Sequence, residues 1–345
     1  MGVPASDNKK ECGILAKKRS MLLWLLLLMA CVLSGCRAAP GQKPQTALPT
    51  AISLGIGEPK AISTDGQNLL VVRTLEDKNE GWLVATDGSG SQKVFETTST
   101  TFDVAFSPDG KHLAWATDEL WVAKADGSEQ RTLLKSEEGL GPIAWSPDGK
   151  KIAFIEEDNL RVTDLAGSAR TITVVPESVR ALTWAALPSG EERFFLNSFP
   201  SEAPAFVASI PLEGTGLMRL AEAEFFAVAA DQLYLADPFD QGRLWVINAA
   251  DGTDARPLLD SKVQAFAPRP ESPGQLAVLQ QTGEMQYDLF LLAANGETPV
   301  PLTSGSLAIS PLWSPDGKAL YYGLFDLEAS EEVDDPFTVM KIDIP

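Results

Sequence analysis

The sequence repeats one six-residue phrase. WSPDGK occupies residues 145–150 and again 313–318, and FSPDGK occupies residues 106–111. In each copy proline fixes the backbone at the first position of a tight turn, aspartate tolerates the second, and glycine adopts the left-handed conformation that closes a hairpin. Catalysis needs one site, whereas a fold of like units needs the same corner many times. The repetition therefore indicates architecture rather than chemistry.

The turns recur at a nearly constant interval of about 40–45 residues, which is typical of β-propellers with four strands in each unit. They lie at Asp65–Gly66, Asp109–Gly110 and Asp148–Gly149, then around Gly190, Asp231 and Gly274, and finally at Asp316–Gly317. The clearest unit, residues 102–135, contains the apolar segments FDVAF, KHLAWAT, ELWVAKA and QRTLLK, each of strand length and separated by turns.

We therefore predict an all-β fold, a seven-bladed β-propeller of four-stranded antiparallel blades. The predicted blades are roughly residues 57–98, 102–135, 140–174, 179–220, 222–259, 263–303 and 306–345. The last unit lacks an outer strand, while the segment TAISLGI at 50–56 precedes the first unit. We expect residues 50–56 to complete the last blade, because this closes the ring and removes its open edges.

The phrase at 106–111, 145–150 and 313–318, followed each time by an apolar strand, is similar to the repeats of the TolB-like, or WD-repeat-like, propeller family. The resemblance covers about residues 50–345 and implies the propeller fold. TolB itself has six blades and a leading α/β domain, and neither matches this chain. Its partner, the peptidoglycan-associated lipoprotein, is therefore not implied.

The first 36 residues differ from the rest. Five basic residues, the last of them Arg19, precede the apolar run at 21–33. This order is typical of a signal peptide, and the run is shorter than the roughly 20 residues that span a bilayer. LSGC at 33–36 resembles the lipobox of bacterial lipoproteins, which implies a signal peptide at 1–35 and diacylation of Cys36. An ordinary cleaved signal and an uncleaved anchor are the alternatives.

A lipid-bearing Cys36 would make residues 36–49, rich in Pro, Ala and Gln, a tether to the membrane. By the same resemblance we expect an exported protein, lipid-anchored to a bacterial membrane at its periplasmic or outer face. Cys12 and Cys31 lie in the leader, so the mature chain keeps no cysteine for a disulfide or a cysteine-based zinc site. We expect a monomer.

Few residues suit catalysis. The single histidine, His112, follows an SPDGK turn, so we predict a surface turn residue and no Ser-His-Asp triad or histidine metal centre. GSGSQ at 88–92 joins two predicted strands and leads into no helix, so we predict a hairpin turn. The full chain carries a net charge of −19, and removing the basic leader makes it more negative. We expect no nucleic-acid binding, since a phosphate backbone would be repelled.

Acidic residues concentrate in the connections after the second and fourth strand of each predicted blade, which lie on one face of the ring. Long loops at 197–205 and 237–243 on this face supply the candidate binding residues, which are Phe199, Asp237, Phe239, Asp240 and Arg243. The alternative for the two phenylalanines is that each ring packs under its own loop. The densest acidic segment supplies candidate calcium ligands, which are Asp326, Glu328, Glu331, Glu332, Asp334 and Asp335. The alternative for that segment is a solvated loop of self-repelling charge, because no EF-hand spacing is present.

These observations favour a non-enzymatic scaffold of the cell envelope that binds a protein or a glycan through its acidic loop face and needs no cofactor. The alternative is an envelope hydrolase, lactonase or lyase that uses carboxylates, and calcium, around the central channel of the propeller. A third hypothesis is a purely structural module without a small ligand. Fold alone does not choose among them.

Overall fold

The computed structural model describes residues 48–99, 102–176, 178–236, 242–272, 274–293, 298–326 and 335–344. Leu48–Thr282 and Gln286–Pro345 form one compact unit, and the fold given below is that of this unit. The predicted signal peptide, Cys36 and nearly all of the tether lie outside the described residues. No helix in the described ranges is long and apolar enough to cross a membrane.

The unit consists of short β-strands grouped in fours. Blade 1 contains β2 (Glu58–Ile62), β3 (Asn68–Thr74), β4 (Asn79–Ala85) and β5 (Ser91–Thr97). Blade 2 contains β6 (Asp103–Phe106), β7 (His112–Ala116), β8 (Glu119–Lys124) and β9 (Arg131–Lys135). Blade 3 contains β10 (Ile143–Trp145), β11 (Lys151–Glu156), β12 (Asn159–Asp164) and β13 (Ala169–Val174). Blade 4 contains β14 (Val179–Ala186), β15 (Glu192–Ser198), β16 (Phe206–Pro211) and β17 (Met218–Glu222).

The remaining blades follow the same plan. Blade 5 contains β18 (Phe225–Ala229), β19 (Gln232–Ala236), β20 (Leu244–Asn248) and β21 (Arg256–Leu259). Blade 6 contains β22 (Val263–Pro268), β23 (Leu276–Gly283), β24 (Gln286–Leu292) and β25 (Val300–Pro301). Blade 7 contains β26 (Ala308–Trp313), β27 (Ala319–Phe325), β28 (Phe337–Asp343) and β1 (Ala51–Ile56).

The seven four-stranded sheets confirm the predicted fold class. In six sheets the strands pair in chain order, and in blade 7 the order is β26-β27-β28-β1. β1 runs antiparallel to β28, from Ala51 opposite Ile342 to Ile56 opposite Thr338. The segment that precedes the first blade therefore completes the last one, as predicted. The first strand of each blade contacts the first strand of at least one neighbouring blade, so these strands are the innermost.

The core lies between neighbouring blades. Leu160 and Ala153 of blade 3 pack with Phe194 and Leu196 of blade 4, and all four are fully buried. Alternating strand residues supply such contacts because successive side chains of a strand point to opposite faces of its sheet. One such cluster lies between each pair of neighbouring blades, so in the described ranges each blade buries both of its faces.

The repeated turn is held by its own side chains. Ser146 donates its hydroxyl hydrogen to Asp148 Oδ1 at 2.7 Å and accepts the backbone N–H of Lys151 at 2.9 Å. The Asp148 carboxylate also accepts the N–H of Lys150 at 3.1 Å. Gly149 has a φ of 70°, the left-handed region that favours glycine. The same serine–aspartate bond recurs in the turns that begin at Ser63, Ser107 and Ser314.

The aromatic residue before the turn joins two blades. Trp145 Nε1 donates to the Ala105 carbonyl at 3.0 Å, and Trp313 Nε1 donates to the Ala267 carbonyl at 3.0 Å. In both cases the acceptor lies on the innermost strand of the preceding blade. A buried indole fills the space between blades and keeps its N–H satisfied, which explains why tryptophan suits this position.

His112 corrects one prediction. The prediction of a surface residue is wrong, because His112, at the first position of β7, is half-buried. Its ring stacks against Trp145 with the centroids 5.9 Å apart, and Nδ1 is buried without a hydrogen-bond partner among the described residues. The ring therefore takes part in packing between blades 2 and 3. The predicted turn in GSGSQ does connect two strands, β4 and β5.

Candidate functional site

The blades present two different ends. We call the end with the first-to-second and third-to-fourth strand connections the turn face; it includes residues 63–67, 107–111, 146–150, 212–217, 249–255 and 314–318. We call the opposite end the loop face; it includes residues 75–78, 117–118, 136–142, 157–158, 199–205, 223–224, 242–243, 260–262 and the described ends of 326–336. Because the strands are antiparallel, every second connection returns to the same end.

Charge differs between the two ends in the described residues. Bases gather toward the turn face, where outer strands begin at or beside Arg131, Arg170, Arg219 and Arg256. Carboxylates dominate the loop face; they include Glu76, Asp77, Asp118, Glu119, Glu137, Glu138, Glu156, Glu157, Asp158, Glu202, Glu222 and Asp260. The loop face is therefore the more negative end of the ring.

An acidic cleft opens on the loop face between blades 2 and 3. Its volume is about 310 Å³, and it is lined by Ser136, Glu137, Glu138, Glu156, Glu157 and Asn159. Glu156 forms an ion pair with Arg161, whose guanidinium lies 5.6 Å from the Phe154 ring centroid. In the described ranges no three His, Cys, Asp or Glu side chains are close enough to hold a metal ion.

Two of the predicted binding residues are described. Phe199 is half-buried, and the Arg180 guanidinium lies 4.1 Å from its ring centroid. Arg243 is exposed and pairs with Asp260, Nε to Oδ1, at 2.6 Å. The other three, Asp237, Phe239 and Asp240, lie outside the described residues. Phe199 and Arg243 both belong to the loop face, in blades 4 and 5.

The predicted calcium segment is described only at its ends. Asp326 is exposed, whereas Asp335 is buried. Asp335 accepts the backbone N–H of Thr74 and that of Phe337, each at 3.0 Å, and burial raises the pKa of its carboxyl. Since Thr74 belongs to blade 1, Asp335 joins the last blade to the first. Glu328, Glu331, Glu332 and Asp334 lie outside the described residues.

Sequence reasoning missed a set of bulges in the innermost strands. The register shifts in blades 1, 4, 6 and 7, close to the loop face. The residues at these shifts include Lys60, Arg180, Gln264 and Ser310. Bulges re-aim side chains and are over-represented beside functional sites. All four residues are polar and none is buried, so polar groups from four blades lie around the loop-face mouth of the channel.

Blades 7 and 1 are linked at this mouth through the Glu58 carboxylate. Glu58 accepts the Ser310 hydroxyl hydrogen and pairs with Lys60 Nζ at 2.6 Å. Asp103 of blade 2 accepts the N–H of Val104 and, from blade 3, that of Ile143, at 2.8 and 2.9 Å. Burial raises the pKa of Asp103 despite these bonds. On this side of the mouth the carboxylates of Glu58 and Asp103 are therefore hydrogen-bonded or paired within the protein.

The other side, between blades 4 and 5, is held by one amide. Asn197, only 4% exposed, accepts the Ala181 N–H at 2.7 Å and the Arg180 N–H at 3.3 Å. Its Nδ2 donates to the Glu224 carbonyl at 2.7 Å. Phe225 follows at once and is 43% exposed. Asn197 thus fixes the backbone of Arg180 relative to that of Phe225. No sequence pattern marks these residues, because the bulge depends on the pairing register.

No family model and no curated protein matches the sequence. Solved structures do match the fold. The chain is similar to a prolyl endopeptidase, with a TM-score of 0.58 and 13% identity over 85% of this chain and 51% of the other, so it spans about half of that enzyme. It is also similar to U3-55K, with a TM-score of 0.60 and 12% identity over 88% of this chain and 100% of the other. At these identities the likeness shows the fold alone, a seven-bladed β-propeller.

Proposed function

We propose that the protein is an exported, lipid-anchored scaffold of a bacterial cell envelope that binds a partner through its loop face and catalyses no reaction. The observation that carries this proposal is the acidic cleft between blades 2 and 3, set in the more negative end of the ring. A rigid ring that presents loops from several blades on one face is a suitable platform for recognition.

The charge of the loop face favours a protein partner with basic side chains. Single exposed ion pairs contribute only about 0–1 kcal/mol each, so several must act together. A face of one sign also steers an oppositely charged partner and raises its association rate, an effect that falls with salt. A neutral glycan is the other ligand class for this surface, and binding of such a ligand would not depend on salt.

Charge reversal on either face tests the proposal. The probe is fluorescein-labelled tetralysine, titrated against the full-length protein in detergent. We expect Glu137→Lys/Glu138→Lys to weaken binding about tenfold, since four unit charges change beside the cleft. The matched control, Glu213→Lys/Asp231→Lys, makes the same net change with exposed residues of the turn face. Equal weakening by both variants would contradict a specific role of the loop face.

Calcium separates this function from the alternative of an envelope hydrolase, lactonase or lyase. A ligand that binds only the folded protein raises its melting temperature once the ligand concentration exceeds the dissociation constant. For the scaffold we expect the same melting temperature in millimolar calcium and in EDTA. A higher melting temperature in calcium would favour the alternative and a metal site at 326–335.

A further inference from the structure

We infer that Arg180 and Phe225, at the channel mouth between blades 4 and 5, bind the C-terminal carboxylate of a peptide chain that ends in an apolar residue. This site is separate from the acidic cleft of blades 2 and 3 and does not depend on it.

Arg180 is positioned as an anion receptor. It lies at a bulge of β14, its side chain is exposed, and its guanidinium stacks on Phe199 at 4.1 Å. Among the described residues no carboxylate lies within ion-pair distance of it. Stacking on Phe199 orients the planar guanidinium and leaves its N–H groups for a ligand. A carboxylate matches this fork with two parallel hydrogen bonds.

Arg219 in the same blade shows what a satisfied arginine looks like. Its guanidinium lies 4.3 Å from the Phe206 ring centroid, close to the distance between Arg180 and Phe199. It also pairs with Glu222 at 3.3 Å, and it lies on the outermost strand rather than the innermost. Each of the two arginines thus makes a cation–π contact with a phenylalanine, but only Arg219 also has a carboxylate partner. A ligand carboxylate would give Arg180 what Glu222 gives Arg219.

Phe225 supplies an exposed apolar ring on the neighbouring blade. It begins the innermost strand of blade 5 and is 43% exposed, while the Asn197 amide holds both backbones in place. A buried amide that satisfies both sides makes the site pre-organised, which lowers the entropy cost of binding. The phenyl ring carries no polar group, so it offers an apolar contact to an aliphatic side chain.

A chain terminus combines the required features. One carboxylate bonds Arg180, the last side chain covers Phe225, and the preceding residues pass over the loop face, where basic side chains meet carboxylates. Capture of a terminal carboxylate is a recurring mode of peptide recognition. A polyanionic glycan would meet the same carboxylates with repulsion.

Fluorescence anisotropy with the full-length protein in detergent tests this site. The probes are two labelled hexapeptides of identical sequence, two lysines followed by glycines and a final leucine, one with a free C-terminal acid and one with an amide. We expect the acid to bind about tenfold more tightly or better, as expected for a charge-assisted bond. Arg180→Gln should make the affinities for the acid and the amide equal, and Phe225→Ala should lower the affinity for the acid peptide. Arg219→Gln should preserve the difference between acid and amide.

Failure of this site can be told apart from failure of the acidic cleft, because the cleft variant changes the affinity for both peptides equally. Glu137→Lys/Glu138→Lys should leave the ratio of acid to amide affinity unchanged, even where both peptides bind more weakly. Equal binding of acid and amide to the unmodified protein would overturn the inference. So would an unchanged ratio in Arg180→Gln, or displacement of the acid peptide by oligogalacturonate at equal concentration.

Discussion

Ser146→Ala tests whether the repeated phrase is an architectural element. Ser146 is 3% exposed, and its hydroxyl both donates to Asp148 and accepts the N–H of Lys151. Alanine removes the oxygen and takes away the partner of the Lys151 N–H, in a hydrogen bond that is part-buried. It also removes one hydrogen bond to the Asp148 carboxylate, whose side chain is 54% exposed and regains water in its place.

The cost follows from these two losses. An unsatisfied buried donor costs about 1–3 kcal/mol, and the exposed carboxylate adds little once water replaces the hydroxyl. We therefore expect the free energy of unfolding to fall by about 2 kcal/mol. With an entropy of unfolding of about 2.1 cal/mol/K per residue, a unit of about 300 residues loses roughly 1.6 °C per kcal/mol, so the melting temperature should fall by about 3 °C.

Thermal unfolding followed by circular dichroism provides the assay. Ser189→Ala is the matched control, because Ser189 lies in the corresponding turn of blade 4 but is exposed and only accepts the Glu191 N–H at 3.3 Å. This control should change stability by less than about 0.5 kcal/mol. A Ser146→Ala protein as stable as the control would refute the structural role assigned to the turn.

Two further outcomes are expected. The Ser146 hydroxyl, with the Lys150 N–H, holds the pKa of Asp148 below its ordinary value of 3.8. The contribution of Asp148 to stability is therefore present above pH 3.8 and is lost as the pH falls through the lower pKa of the folded state. The melting temperature of Asp148→Asn should fall less steeply with acid than that of the unmodified protein, and parallel curves would contradict this. Asn197→Ala removes the hydrogen bonds that the amide makes with the Ala181 N–H and the Glu224 carbonyl, so it should cost about 2–4 kcal/mol in denaturant unfolding and reduce the preference for a free acid. Unchanged stability would show that the amide does not tie the blades.

Most of the fold could be predicted from the sequence because the residues that determine it are close together along the chain. The turn chemistry of residues 145–150 and 313–318 sets the period, and the missing outer strand of the last unit predicts the pairing of β1 with β28. His112 was misjudged because its environment comes from the next blade, where Trp145 packs against it. A contact across blades leaves no mark on the local pattern.

The candidate site could be predicted only in part, because it also depends on contacts between blades. The acidic end follows from counting charges in alternate connections. The Arg180 bulge, however, depends on how Val179 and Ala181 pair with β15, which sequence periodicity cannot specify. The sequence pattern places Asn197 in the loop at 197–205, whereas it lies in β15 and its amide joins blades 4 and 5.

The pairing of β1 with β28 holds the ring closed and thereby sets the positions of all loop-face residues. It is tested by a disulfide between Ile52→Cys and Lys341→Cys, which lie opposite each other in the register, in a chain with Cys12, Cys31 and Cys36 changed to serine. We expect oxidation to form the bond, seen as altered mobility on a non-reducing gel, while Ile52→Cys/Thr338→Cys stays reduced because Thr338 lies opposite Ile56, beyond disulfide reach. Free thiols in the first pair, or an equally complete bond in the second, would contradict the closed ring.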